Sequence, residues 1–353
     1  MKKAVLVIMV AVYVLLSSCS GKSPGQIEKI TIVYSGNIGG RKNPCGCRPP
    51  MGGLYRRDTV INSIREYSEN LLVLDSGAVL FPSNFLAPPT DYVFRRITPL
   101  MARIMDEIGI DGVNVSNYDL ANSIDSLLVI DKATSFPWLS ANLIRRASGE
   151  QIFTPDITVE KGTAKVGIFG IMADNFMGAP LYGEDSPFEV LDPMEAAARE
   201  VDKLKGETDL VIALAYMSKN EVNELVDQVD GIDLVIHSHN GYHTPTSNHE
   251  AFQPITRNKT LIVRCPDGGR VLGLIAMEVV DGDTHFRNLT AKEYLIRNQQ
   301  AASPEKGKLE SIYYNEFIDL GPDIASNEKI KAEIETLDAS LEEYKKIHKI
   351  KID

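Results

Sequence analysis

Leu71-Leu72-Val73-Leu74 runs directly into Asp75-Ser76-Gly77-Ala78. Consecutive apolar residues closed by a polar, glycine-bearing turn read as a buried strand that delivers a loop. The pattern recurs along the chain. Ile30–Tyr34 leads into Ser35-Gly36-Asn37, Gly112–Val115 into Ser116-Asn117-Tyr118-Asp119, Leu210–Ala215 into Tyr216, and Leu234–Ile236 into His237-Ser238-His239. Between these runs lie segments with helical spacing: Asp58–Tyr67, Tyr92–Ile108, Pro193–Leu204 and Lys219–Val229. Asp192 is placed to cap the third of these, with Pro193 at its first position. Strand-then-helix alternation predicts an α/β fold, in which functional groups gather in loops at the carboxyl ends of strands. The chain then turns β-rich. Leu261–Arg264, Val271–Val280 and His285–Tyr294 read as antiparallel strands around Gly268-Gly269 and Asp281-Gly282-Asp283 turns. Ala325–Ile350 closes it as an amphipathic helix, with Ile330, Ile334, Leu337, Leu341, Tyr344 and Ile347 recurring at threes and fours. That spacing suits first a helix packed across the domain, and second a coiled-coil stub for self-association or a partner protein.

The 353 residues allow one large or two ordinary domains, and 44% hydrophobic content is ample for a sizeable core. A net charge of −11, with no sizeable basic patch, excludes a nucleic-acid binder.

The chain starts with a basic head, Lys2-Lys3, then an apolar run from Ala4 to Leu16, then Ser17-Ser18-Cys19. The run is short for a membrane span and has the layout of an export signal. Leu-Ser-Ser-Cys resembles a bacterial lipoprotein signal, in which the cysteine is acylated and becomes the first residue. The resemblance implies a signal peptide over 1–18, a tether over 19–28, and a lipid anchor at Cys19. Ser20 after the cysteine favours the outer membrane of a bacterial envelope, facing the periplasm or the cell surface. The main domain is expected over 29–300 and a C-terminal extension with the long helix over 301–353.

The order and spacing of the strand-end loops resemble the 5′-nucleotidase/UDP-sugar hydrolase branch of the calcineurin-like metallophosphoesterases. The likeness runs from about Ile30 to Val280. It is carried also by Gly52-Gly53-Leu54 with Arg56-Arg57, by Phe136-Pro137-Trp138-Leu139-Ser140-Ala141-Asn142, by Lys165-Val166-Gly167-Ile168, and by Gly231-Ile232-Asp233-Leu234-Val235-Ile236. The resemblance implies a four-layer αββα sandwich. The family's second, nucleoside-binding domain is not expected within these 353 residues. In the family, two metals are held by Asp-x-His, Gly-Asp, Gly-Asn-His-Glu, a lone His and Gly-His-x-His. This chain has Asn37-Ile38-Gly39, Gly77-Ala78, Ser116-Asn117-Tyr118-Asp119, Tyr216, and His239 followed by Gly241. Two-metal hydrolysis needs hard ligands that hold both ions about 3.5–4 Å apart. Losing the bridging carboxylate and most terminal ligands argues against a binuclear site and against ordinary phosphoester hydrolysis.

A new motif follows the first loop: Asn43-Pro44-Cys45-Gly46-Cys47-Arg48. It resembles a divergent paired-cysteine branch of the superfamily, some of whose members carry selenocysteine. Two cysteines one residue apart can chelate a soft metal or close a small, strained and therefore oxidising disulfide ring. They can equally form a structural staple in an oxidising compartment. Arg41, Lys42 and Arg48 flank the pair and should depress thiol pKa values. Cys265, in the segment the family places beside its last ligand loop, could approach the pair as a third thiol. With His239 this would make a set suited to zinc, or to copper(I). His237, His239, His243 and His249 are locally enriched, and on a strand His237 and His239 would share a face. The metal-ligand candidates are therefore Cys45, Cys47, Cys265, His237, His239 and Asn117, and the redox candidates are Cys45 and Cys47. Three functions follow as expectations: a thiol redox or soft-metal protein on a degenerate phosphoesterase fold, a hydrolase with a rebuilt metal site, or a non-catalytic envelope binding protein.

Overall fold

A computed structural model of the chain describes residues 27–68, 70–88, 90–176, 179–239, 249–264, 268–280, 286–293 and 311–348. The export signal, Cys19, most of the tether, His243 and Cys265 lie outside the described residues.

In chain order the elements are β1 (Ile27–Ser35), α1 (Leu54–Tyr67), β2 (Leu71–Asp75), α2 (Thr90–Ile108), β3 (Gly112–Asn114), α3 (Ile124–Asp131), β4 (Trp138–Leu139), β5 (Leu143–Arg145), β6 (Asp156–Lys161), β7 (Ala164–Met172), β8 (Asn175–Phe176), β9 (Ala179–Pro180), β10 (Phe188–Val190), α4 (Pro193–Leu204), β11 (Leu210–Tyr216), α5 (Lys219–Gln228), β12 (Leu234–Ser238), a 3₁₀ turn (His249–Phe252), β13 (Ile255–Arg257), β14 (Thr260–Arg264), β15 (Val271–Val280), β16 (Phe286–Asn288), β17 (Ser311–Asp319) and α6 (Glu328–His348). Two mixed sheets dominate. The first has the order β16-β17-β15-β1-β2-β3-β4 and the second β13-β14-β12-β11-β7-β6.

Side-chain alternation sorts the strands onto three cores. In β1, Ile32 and Tyr34 enter a cluster shared with the second sheet, while Val33 points to a cluster formed with helices. In β11, Ile212 and Leu214 face the first sheet, whereas Val211, Ala213 and Ala215 pack on α4 and α5. The two sheets thus bury one face against each other, and each gives its other face to helices, as period-two alternation requires of buried strands. Helix starts follow local chemistry. Asp192 accepts from the Met194 and Glu195 amides ahead of α4, and Ser218 with Glu221 forms a capping box on α5.

The C-terminal third departs from the sequence reading. β14 does not pair with β15: it lies parallel to β12 in the second sheet, while β15 runs antiparallel to β1 in the first. Gly268-Gly269 therefore links two sheets rather than turning a hairpin. The strand expected over His285–Tyr294 is only β16, and it pairs parallel to β17. β17 itself, unpredicted, lies along β15 from Val271↔Asp319 to Glu278↔Ile312. Residues 311–348 are thus integral to the first sheet and its helical layer, so the boundary expected near residue 300 is not a break in packing.

The terminal helix α6 is fixed in place. Asn327 Oδ1 accepts from the Lys329 and Ile330 amides at its start, and Asn327 Nδ2 donates to Asp58 of α1. Ile330, Ile334 and Leu341 sink into the cluster shared with α1 and α2, and Tyr344 stacks on Tyr92. Among the described residues no helix is long and apolar enough to cross a membrane. Truncating Ile334 to alanine leaves a cavity in this core. We expect Ile334→Ala to cost about 2–5 kcal/mol of stability, read as a lower urea midpoint at unchanged slope.

Candidate functional site

The loops after β1, β2, β3, β11 and β12 meet at the carboxyl ends of their strands, where a ligand site is expected in α/β folds. They are tied by buried polar groups. Ser35 donates to Asp75, and Arg57 Nη1 donates to Ser35 Oγ at 2.8 Å. Asp75 in turn accepts from the Gly77 amide at 2.9 Å. Ser76 Oγ donates to the Ser35 carbonyl, and Ser238 Oγ donates to the Ser76 carbonyl, both at 3.1 Å. The loops press so closely that a Cβ on Gly36 would lie 2.4 Å from Ser76 Oγ.

Asp119 organises the next layer. Its carboxylate accepts from the amides of Ala78, Val79 and Leu80 at 2.8–2.9 Å and from Ser116 Oγ at 2.6 Å. This holds Ala78 at φ 58, a left-handed conformation that an alanine rarely adopts. Asn37, also left-handed at φ 52, donates from Nδ2 to the His239 carbonyl at 2.9 Å.

What remains between these loops is a cavity of about 20 Å³, lined by Asn117, Met172, Ala173, Asn175, Leu181, Tyr216 and His239. It has room for about one water molecule. Tyr216 sits between Tyr118 and His239, with ring centroids 6.1 and 6.3 Å away. Burial lowers the His239 pKa, against the opposing influence of Glu221. Asn117 Oδ1 is buried without a hydrogen-bond partner.

The structure separates the residues expected to share a metal. Asn117 and His239 meet at the small cavity. His237 does not join them: it is the last-but-one residue of β12, and it opens instead on a second cavity on the outer face of that sheet. The shared face expected for the two histidines fails because β12 ends at Ser238, so His239 already follows the loop. Cys45 and Cys47 are joined to each other in a disulfide and are not among the residues lining the small cavity. Among the described residues no group of three or more His, Cys, Asp or Glu side chains could hold a metal ion. A binuclear metal centre does not fit these residues. At positions 37, 78, 117, 118 and 216 the side chains are neutral; of the buried acids in these loops, Asp119 is consumed by backbone amides and Ser116, and Asp75 by Ser35, the Gly77 amide and Arg57. In the sequence Asp119 stands out only as part of a motif. Its spacing of three from Ser116 is the available signal, since that is the spacing of a side chain that closes a tight turn on itself.

The disulfide lies on the loop between this site and α1. The Cys45 amide donates to the Met51 carbonyl at 2.8 Å, and the Met51 amide reaches Cys45 Sγ at 3.3 Å. Cys45 is half-buried and Cys47 exposed. Of the three flanking cations, Lys42 is buried and ion-paired to Asp338 of α6, which also accepts from Asn43 at 2.7 Å. Its charge is therefore largely spent on α6 rather than on the thiols, contrary to the sequence expectation. Arg56 adds hydrogen bonds to the Pro50, Gly52 and Leu320 carbonyls, so the loop is braced on both sides.

No family model matches the chain. The trifunctional nucleotide phosphoesterase protein YfkN of Bacillus subtilis is 25% identical over 271 residues, covering 68% of this chain and 18% of that protein. Mouse 5′-nucleotidase is 29% identical over 230 residues, covering 63% of this chain and 38% of the enzyme. The chain thus spans well under half of either relative. Among solved structures, a 5′-nucleotidase precursor from Thermus thermophilus superposes with a TM-score of 0.66 at 18% identity, covering 89% of this chain and 59% of that one. In sequence the chain is thus similar to 5′-nucleotidases and a nucleotide phosphoesterase, and in fold to a solved 5′-nucleotidase precursor.

Asp75 offers a check on the electrostatics. Burial raises its pKa to about 6, outweighing the Arg57 guanidinium 3.9 Å away and the hydrogen bonds from Ser35 and Gly77. A carboxyl with a folded pKa above its unfolded one takes up protons on folding between the two values. Its favourable contribution is present when it is protonated and is lost as pH rises through about 6. The stability advantage of the wild type over Asp75→Asn, from urea unfolding, should therefore shrink between about pH 4 and pH 7.

Proposed function

We propose that this chain is a thiol–disulfide redox protein of the bacterial envelope, lipid-anchored at Cys19. It is built on a phosphoesterase fold of the four-layer αββα type that no longer hydrolyses phosphoesters. The observation that carries the reading is the Cys45–Cys47 disulfide, exposed at Cys47, on a braced loop beside a strand-end site whose ligand positions are neutral. The apolar run and cysteine at residues 4–19 support export.

The chemistry is dithiol–disulfide exchange. A thiolate of a partner dithiol attacks the exposed Cys47 Sγ. The Cys45–Cys47 bond breaks, and Cys45 leaves as a thiolate. The Met51 N–H, 3.3 Å from Cys45 Sγ, is placed to stabilise that charge and so to ease its departure. The partner's second thiol, deprotonating, then attacks the mixed disulfide and releases Cys47. Two electrons pass to the pair, and the partner is left oxidised.

Equilibration of the full chain with glutathione redox buffers, scored by maleimide mass shift, tests this. We expect a two-electron transition between about −270 and −120 mV, the span of exchange-active dithiol proteins. A pair that stays oxidised below about −300 mV would be a structural staple, and the proposal would fall. Cys45→Ser and Cys47→Ser should each abolish exchange with a dithiol substrate. Hydrolysis of a nucleotide or of p-nitrophenyl phosphate with added manganese should not exceed background. Turnover above background, lost in a His239→Ala variant, would instead support a rebuilt hydrolase.

A further inference from the structure

One carboxylate ties the foot of the cysteine loop to the terminal helix. Lys42 Nζ donates to Asp338 Oδ1, and Asn43 Nδ2 donates to Asp338 Oδ2 at 2.7 Å. Lys42 is 6% exposed, so its ammonium has left water and needs an anion. Asp338 cannot follow the loop. It lies four residues after Ile334 and three before Leu341, both buried, so it belongs to the inward stripe of α6. The helix itself is fixed at its start by Asn327.

The loop does not need this acid for its shape. Main-chain groups already close it: the Leu54 amide donates to the Lys42 carbonyl at 3.0 Å, and Pro44 and Gly52 form an antiparallel bridge. From outside, the Gly52 amide donates to the Leu320 carbonyl at 2.8 Å. What Asp338 adds is a negative charge, placed on the cation that most closely precedes Cys45. Three residues span at most about 11 Å, so the backbone of Lys42 lies within roughly a Debye length of that of Cys45. An unpaired ammonium there would favour the Cys45 thiolate, and the ion pair withholds that help.

We propose that Asp338 is a positioning residue for thiol–disulfide exchange: by pairing with Lys42 at the foot of the loop, it keeps Cys45 a poorer leaving thiolate and the pair a mild rather than a strong oxidant. The inference rests on the redox reading of the pair given above. A stabilised reduced form is what makes a dithiol pair strongly oxidising, and here that stabilisation is held back.

The other charged groups around the loop are Arg41 and Arg48 on the loop itself, Arg56 of α1, Arg270 and Asp323 on the segments packed against Gly52 and Met51, and Glu335 and Glu342 to either side of Asp338 on α6. All stay unchanged in the variants below, so a shift reports on Lys42 and Asp338.

The test follows the ionisation of Cys45 directly. The full chain, reduced and desalted, is alkylated with iodoacetamide at low salt from about pH 5.5 to 9.5, and modification of Cys45 is read by fragment-ion mass spectrometry. In Asp338→Asn the unpaired Lys42 should raise the thiolate fraction at a given pH about three-fold. In Lys42→Met the unpaired carboxylate should lower it about three-fold. The double variant, with neither charge, should return to the wild-type profile. At about pH 9, where the thiols ionise, the equilibrium with glutathione should follow the same order, with Asp338→Asn the most oxidising. A merely structural tie would move both single variants the same way and the double variant furthest. That result, coincident profiles, or a double variant that keeps a single variant's shift would each overturn the proposal. If Asp338→Asn fails to fold, the shift in Lys42→Met and its reversal in the double variant still decide. Coincident profiles in a chain that exchanges remove the role of Asp338 alone. A wild-type pair that glutathione cannot reduce removes the redox reading, and this role with it.

Discussion

The buried carboxylate of Asp119 sets the strand-end loops. Three successive amides and a serine hydroxyl converge on it, and this convergence holds Ala78 in a left-handed conformation it would not otherwise keep. Burial alone raises the pKa of such a group, and only the hydrogen bonds converging on it oppose that rise. Asp75, Ser35 and Arg57 repeat the device one layer down. Acids that would elsewhere be available to a cation are here used to hold backbone. The small cavity at the strand ends is accordingly lined without a carboxylate.

Much of the α/β frame was legible because the strands are buried on both faces and read as continuous apolar runs. Leu71–Leu74 and Leu210–Ala215 became β2 and β11 with little change, and Asp192-Pro193 marked the start of α4. The C-terminal third was misread for a physical reason. β14 and β15 are adjacent in sequence and both apolar, but local patterning carries no information about which of two stacked sheets a strand joins. That is settled by the pairing of β12 with β14 and of β1 with β15, both long-range. β17 is broken in its middle by Asn315-Glu316, where the strand becomes partly exposed, and offers no continuous apolar run to detect.

The site was legible in what it lacks more than in what it holds. The neutral residues at positions 37, 78, 117, 118 and 216 were plain in the sequence, as was the cysteine pair. The separation of His237 from His239 was not, because it depends on β12 stopping at Ser238. The role of Lys42 was hidden too: its partner, Asp338, is nearly three hundred positions away along the chain. A cation beside a cysteine in sequence can be committed to a different helix in space.

β1 has a further consequence, which concerns time rather than geometry. It is the first strand of the fold, and it sits in the interior of the first sheet between β2 and β15. Its antiparallel partner is made long after it, with Ile27 opposite Val280, and β15 in turn waits for β17. Pairings of such separation close late, because the loop entropy must be met before the contacts form. During synthesis the strand therefore has one flank open until most of the chain exists. A polypeptide arranged in this way completes its first sheet only when β15 and β17 have both been made.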